Sequence, residues 1–200
     1  MRKEWPSKIQ KLFEEMSIVV VSPLFIPETK WVQCLINSVA FSWMNNLKVY
    51  ELGITEKQVV HWARNNLAKT AQEAINPFTN EKYSHVLWLD SDHVFERSLI
   101  CELAKSFLHE GVDVVSAVYY SRTGKPLPNI FVKENCPGEF NHYSLLNFPQ
   151  GLFECDGFGF GAVLMKRDVL ERIPGHPFSF NGAGEDVWFC VNAKKHGIRL

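Results

Sequence analysis

The stretch His85-Val-Leu-Trp-Leu-Asp90-Ser91-Asp92 joins an apolar run to two carboxylates spaced two residues apart. A short apolar run of this kind reads as a central strand, buried on both faces. In an open α/β sheet, ligands bind outside the carboxyl ends of the strands. The two acids therefore leave the strand at the edge where ligands are held. Side by side they can share a hard divalent cation, Mg²⁺ or Mn²⁺, through oxygen ligands. Such an ion can hold a diphosphate and neutralise the charge that develops as it departs. The same spacing also makes an ordinary polar strand end or helix N-cap, so the surrounding sequence has to decide between the two.

Strand-like runs alternate with helical patterns on both sides of this stretch, which predicts an α/β protein with a largely parallel sheet. Ile18 to Ser22 reads as a buried strand that Pro23 ends. Trp31, Leu35 and Val39, with Val32, Ile36 and Ala40, mark a helix. Lys48 to Leu52 reads as a second strand. Thr55 and Gln58 have capping-box spacing for a helix continuing through Val60, Ala63, Leu67 and Ala71. Leu99, Leu103 and Phe107 mark a third helix, with Gly111 as its C-terminal cap, and Asp113 to Tyr119 a further strand. Ser121 to Gln150, rich in Pro, Asn and Gly, reads as loops around one short strand, Asn129 to Lys133. Leu152 to Asp156 and Ala162 to Met165 read as strands flanking a glycine run, Gly157 to Gly161. A last helix is expected from about Gly184 to His196, stopped by Gly197.

The chain has 200 residues and a formal net charge of −1. That length suits one domain, and the charge argues against a nucleic-acid partner, which calls for a basic face. No apolar run is long enough to cross a membrane, and Met1 to Ser17 lacks the apolar stretch of a secretion signal. A cytoplasmic protein is expected. The five cysteines, Cys34, Cys101, Cys136, Cys155 and Cys190, are scattered. They suggest neither a zinc site nor a disulfide framework, and Cys34, Cys101 and Cys190 read as small core residues.

The order of these elements resembles the GT-A-fold glycosyltransferases, above all those like family 2. The residues that carry the resemblance run from Ile18 to Ile198. They are the first strand and its loop, Val19-Val-Val-Ser22-Pro23, then Ala63-Arg64-Asn65 on the helix before the acidic strand. Trp88-Leu-Asp-Ser-Asp92 resembles the DxD motif, and Gly184-Glu-Asp-Val-Trp-Phe-Cys190 the ED motif. The resemblance implies a Rossmann-like three-layer α/β/α fold with a mostly parallel central sheet and a smaller acceptor-side sheet region. Residues 1–200 would form one domain, with 18–120 as its nucleotide-sugar-binding part and 121–200 as its acceptor side. It implies an enzyme that moves a sugar from a nucleotide-diphosphate donor to the hydroxyl of a glycan, protein or lipid-linked acceptor, with Mn²⁺ or Mg²⁺ as cofactor.

On the same resemblance, Asp92 is the metal ligand and Asp90 its partner, or a contact to the donor ribose. Ser22, Pro23, Arg64, Asn65, Asp90 and Ser91 bind the nucleotide sugar. Arg64 is expected on an exposed helix face that tolerates alanine. Glu185-Asp186 is the first candidate pair for the base that takes the acceptor's proton, with Asp186 the choice. The helix N-terminus is expected to lower its pKa. Asp156 is the competitor, because it ends a strand before the glycine run. Gly157 and Gly159 would let an acceptor approach the backbone. Phe158, Phe160 and Trp188 would offer faces to a sugar ring. Many members add a histidine metal ligand beyond the ED helix, and His93, His176 and His196 do not stand at that position. Two other readings remain open: a non-catalytic nucleotide-sugar-binding protein, and a sugar nucleotidyltransferase. The absence of glycine and basic residues from Ser22 to Thr29 counts against the second.

Overall fold

In a computed structural model, residues 5–24, 27–121, 126–133, 140–142, 149–180 and 184–200 are described. The chain runs α1 (Ser7–Glu15), β1 (Ser17–Leu24), α2 (Thr29–Met44), β2 (Lys48–Glu56), α3 (Val60–Glu73), β3 (His85–Leu89), α4 (Leu99–Lys105), β4 (Val114–Ser116), β5 (Ile130–Lys133), β6 (Phe140–His142), β7 (Gly157–Phe158), β8 (Ala162–Lys166), α5 (Asp168–Arg172) and α6 (Glu185–Lys195). The main sheet has the order β2-β1-β3-β8-β4. β1 pairs parallel with β2 and β3, and β8 lies antiparallel between β3 and β4. A second, antiparallel sheet has the order β6-β5-β7.

The apolar runs are buried on both faces because helices cover both, and the period-2 alternation of a strand sorts their side chains into two cores. Val19 and Val21, Val86 and Trp88, and Val163 and Met165 join Leu67, Ala71, Leu170, Phe189 and Ala193, from α3, α5 and α6. Ile18 and Val20, Leu87 and Leu89, and Leu164 join Phe13, Trp31, Leu35, Phe41, Ile100 and Cys101, from α1, α2 and α4. The architecture is therefore the expected three-layer α/β/α sandwich. β8, from the second half of the chain, is driven into the middle of the sheet built by the first. It pairs Leu89 with Ala162, which returns the glycine run to the carboxyl edge of β3.

Several boundaries differ from expectation. β1 does not stop at Pro23 but pairs through Leu24, with β2 alone, since its ladder with β3 ends at Val21 and Trp88. A proline without an N–H is tolerated where one side of the strand has left the sheet. β2 extends through Thr55 to Glu56, so Thr55 is a strand residue, and α3 starts at Val60 with no side-chain cap. Leu152 to Asp156 is not a strand; Gly157-Phe158 pairs with β5 instead. β4 covers only Val114–Ser116, because the chain then leaves β8 and bridges Tyr120 to Pro128. Three elements were unforeseen: β6, α1, whose Ile9 and Phe13 face the core, and α5, whose Val169 and Leu170 are buried. Cys101, Cys155 and Cys190 are buried free thiols and Cys34 is half-buried; Cys136 lies outside the described residues.

His85 opens β3 beside Phe107, with ring centroids 4.7 Å apart, and its Nδ1 pairs with Ser84 Oγ at 2.8 Å. Burial, with Lys166 nearby, lowers its pKa to about 4. The unfolded chain takes up this proton near pH 6.5 and the folded chain only near 4, so stability is lost as pH falls through that window. Urea midpoints compared at each pH from 7 to 4 should show His85→Phe gaining on the wild type as pH falls, because the variant has no imidazole to protonate.

Candidate active site

Asp90 leaves β3 with its backbone N–H on Gly161 O at 3.0 Å, and the chain turns so that His93 N–H reaches Asp90 O at 3.4 Å. Ser91 is buried in that turn, and Asp92 is more than half exposed. From α3, the Arg64 side chain, 2% exposed, reaches across the carboxyl edge. Its Nη2 donates to Asp90 Oδ2 at 3.2 Å and its Nε to Glu185 Oε1 at 3.4 Å, while Asp186 Oδ1 lies 3.6 Å from Nε. The guanidinium carbon stands 5.2 Å from the centroid of the Phe160 ring. Arg64 is thus buried under three carboxylates, and the expectation of an exposed, alanine-tolerant position is corrected. The helical periodicity that signalled α3 carries no information on what its polar residues meet.

Burial disfavours the Arg64 charge, but Asp90, Asp186 and Glu185 outweigh that cost and raise its pKa. Burial likewise raises Asp90, with Arg64 opposing. The Asp186 carboxyl is pushed up to about 7, by burial first, with Arg64 opposing and Glu185 and Asp90 adding. The expectation that the helix N-terminus lowers it is overturned: desolvation and two neighbouring carboxylates outweigh a helix-end effect that is worth only about 0.3–1 kcal/mol at exposed sites. Asp186 Oδ2 accepts the Phe160 N–H at 3.1 Å, which aims the carboxyl between α6 and the glycine run.

The glycine run is packed by the protein itself. A Cβ on Gly159 would lie 2.3 Å from Tyr119 Oη, and one on Gly161 would lie 2.4 Å from His93 Nε2. The Gly161 N–H donates to Tyr119 Oη at 3.0 Å. Gly157 faces Phe131 and Cys190. Phe158 and Phe160 are core residues at 1% and 0% exposure, so neither offers a face to a sugar, which corrects that expectation. Trp188 on α6 remains half-buried, with Lys195 over its ring.

The other expected residues divide. Ser22 is buried and Pro23 half-buried at the carboxyl end of β1, the strand beside β3. Asn65 is committed to the protein: its Nδ2 donates to Phe178 O at 2.6 Å and its Oδ1 accepts the Phe178 N–H at 3.1 Å. Asp156 pairs with Lys194 Nζ at 2.6 Å, near the end of α6. Eight residues of helix at 1.5 Å each put Lys194 about 12 Å from Asp186, so Asp156 is not brought to the acidic cluster. Two residues at the edge were not assigned, His93 and Tyr119. A histidine directly after the acidic pair was legible in the sequence; Tyr119, in a loop, carried no local signal.

An open, mostly parallel sheet between two helical layers, with paired acids at the carboxyl end of its central strand, is the GT-A architecture. The sequence matches glycosyl transferase family 2 over residues 48–173, and the chain belongs to that family. Its general chemistry is glycosyl transfer from a nucleotide sugar to an acceptor. Among solved structures, "Crystal Structure of A197 from STIV" is similar in fold, with a TM-score of 0.56 and 21% identity, covering 90% of this chain and 78% of that one. No curated protein matches the sequence. Among the described residues, no helix is long and apolar enough to cross a membrane.

Proposed function

We propose that the protein transfers a sugar by single displacement, with the donor diphosphate at the Asp90-Ser91-Asp92 turn and Asp186 as the base. The observation that carries this reading is the cluster around Arg64. Asp90 from the end of β3 and Glu185 and Asp186 from the start of α6 meet on one buried guanidinium, joining the donor edge to the acceptor side. The acceptor oxygen forms its bond to the anomeric carbon as the carbon–oxygen bond to the diphosphate breaks, and the acceptor's proton passes to Asp186. A carboxyl titrating near 7 suits general-base work at neutral pH. Ser22 and Pro23 flank the same edge on the nucleotide side, and Trp188 is an aromatic that can face the acceptor.

A divalent cation fits these residues. Asp90, Asp92 and His93 present ligand atoms within 4.8 Å of one another, and among the described residues Asp90 Oδ1 is buried without a hydrogen-bond partner. Asp92 and Asp90 would hold the ion, which when bound supplies positive charge to the departing diphosphate.

Calorimetric titration with a panel of nucleoside diphosphates and nucleotide sugars, with and without Mn²⁺, tests the reading. Binding should require the metal, and Asp92→Ala should weaken it severely. Nucleotide affinity that ignores both the metal and the substitution would overturn the site.

A further inference from the structure

We infer that His93 is a third protein ligand of the cation at the end of β3, so that the acidic turn supplies a mixed oxygen and nitrogen donor set. The inference rests on the reading of Asp90 and Asp92 as cation ligands. His93 Nε2 lies 3.6 Å from Asp92 Oδ1, and the three ligand atoms fall within 4.8 Å of one another. Two ligands of one ion, each at about 2.2 Å, lie within about 4.4 Å of each other. Closing the set therefore takes a side-chain adjustment of tenths of an ångström, with the turn already in place.

A histidine beside an aspartate is common on protein surfaces, but this ring sits in a slot built for it. A Cβ on Gly161 would lie 2.4 Å from its Nε2 and 2.7 Å from its Cε1, so glycine at 161 is what makes room for the ring. Tyr119 closes the other side, with ring centroids 4.4 Å apart and planes at 72°. Tyr119 is itself fixed, since its Oη accepts the Gly161 N–H at 3.0 Å and its backbone N–H donates to Asn129 Oδ1 at 2.8 Å. Gly161 also accepts the Asp90 N–H at 3.0 Å. One residue thus registers the carboxylate and the imidazole to each other.

The second, independent observation is an orphaned oxygen. Asp90 Oδ1 is buried and has no hydrogen-bond partner among the described residues, while its Oδ2 accepts from Arg64 Nη2 at 3.2 Å. A cation between Asp90, Asp92 and His93 gives that oxygen a partner. An imidazole in the set favours Mn²⁺ and Co²⁺ over Mg²⁺ and Ca²⁺, which prefer oxygen ligands alone.

The experiment is pulsed electron paramagnetic resonance of Mn²⁺ bound to the full chain, with inorganic pyrophosphate present because it holds no nitrogen. It is run beside Mn²⁺ and Mg²⁺ titrations of wild type, His93→Ala and Asp92→Ala. The wild type should show nitrogen modulation that changes on ¹⁵N-histidine labelling. His93→Ala should lose that modulation and weaken Mn²⁺ by at least about 10-fold, with a smaller effect on Mg²⁺. The labelled wild type decides the matter even where His93→Ala fails to fold. Wild-type Mn²⁺ binding without nitrogen modulation, matched by His93→Ala and abolished by Asp92→Ala, overturns the role of His93 and leaves the carboxylate site standing. No Mn²⁺ binding to the wild type overturns both.

Discussion

Asp186→Asn is expected to slow glycosyl transfer by about 10²–10⁴-fold while donor affinity stays nearly constant, because a general base acts on the acceptor and not on the diphosphate. Asparagine keeps the shape and can still accept the Phe160 N–H that positions Asp186. The wild-type rate should rise with pH through about 7, the value to which burial and its neighbours push this carboxyl, and the residual rate of the variant should lose that limb. Stability separates this role from a helix-end role. A carboxyl whose folded pKa is raised above its unfolded value weakens the fold as pH rises between the two values. Asp186→Asn should therefore melt no lower than wild type at pH 8, where a purely dipolar role predicts a loss of about 0.3–1 kcal/mol. Asp156→Asn, which breaks the pair with Lys194, should turn over close to the wild-type rate, because that pair lies about 12 Å along α6 from Asp186. An inactive Asp156→Asn beside a normal Asp186→Asn reverses the assignment.

Arg64→Ala should be the most destabilising single change at the site, by about 3–5 kcal/mol, because breaking a buried ion pair leaves its partners uncompensated. Here the partners are Asp90, Glu185 and Asp186, around a side chain only 2% exposed. The dependence on pH identifies the cause. With the guanidinium gone, the carboxyls shed their charge by taking up protons, so the gap between variant and wild type in urea should shrink from pH 8 to pH 5. A gap that stays constant over that range would assign the loss to packing against Phe160 instead. Arg64→Lys, which keeps the charge but cannot reach three carboxylates with one planar fork, should fall between the two. Donor binding should fail in Arg64→Ala, through the displaced Asp90.

Much of this was open to reading along the chain. Ile18 to Val21 and Val86 to Leu89 are apolar on both faces, a property of the local sequence that requires helices above and below. The placement of Asp90 and Asp92 directly after such a strand follows without any knowledge of distant contacts. The end of α6 was equally local, since Gly197 adopts a positive φ of 68° that suits glycine. Pro23 and Thr55 misled because a proline at a sheet margin and a threonine in a strand look, in sequence, like a strand end and a helix cap. Only the neighbouring strand says otherwise.

The acid-bearing turn and its place at the end of a buried strand were determined by the sequence itself, because hydrophobic pattern and spacing are properties of consecutive residues. What the tertiary structure alone decided is the company those residues keep. Arg64 and Glu185 stand 121 positions apart, and no local pattern could declare that one buried guanidinium would hold both, nor that Asp186 would be desolvated enough to titrate near 7. Gly159 gave the same lesson on a smaller scale. Its glycine character suggested an opening for an acceptor, whereas folding filled the space with Tyr119 and Asn129, because close packing is settled by whatever side chains the fold brings together.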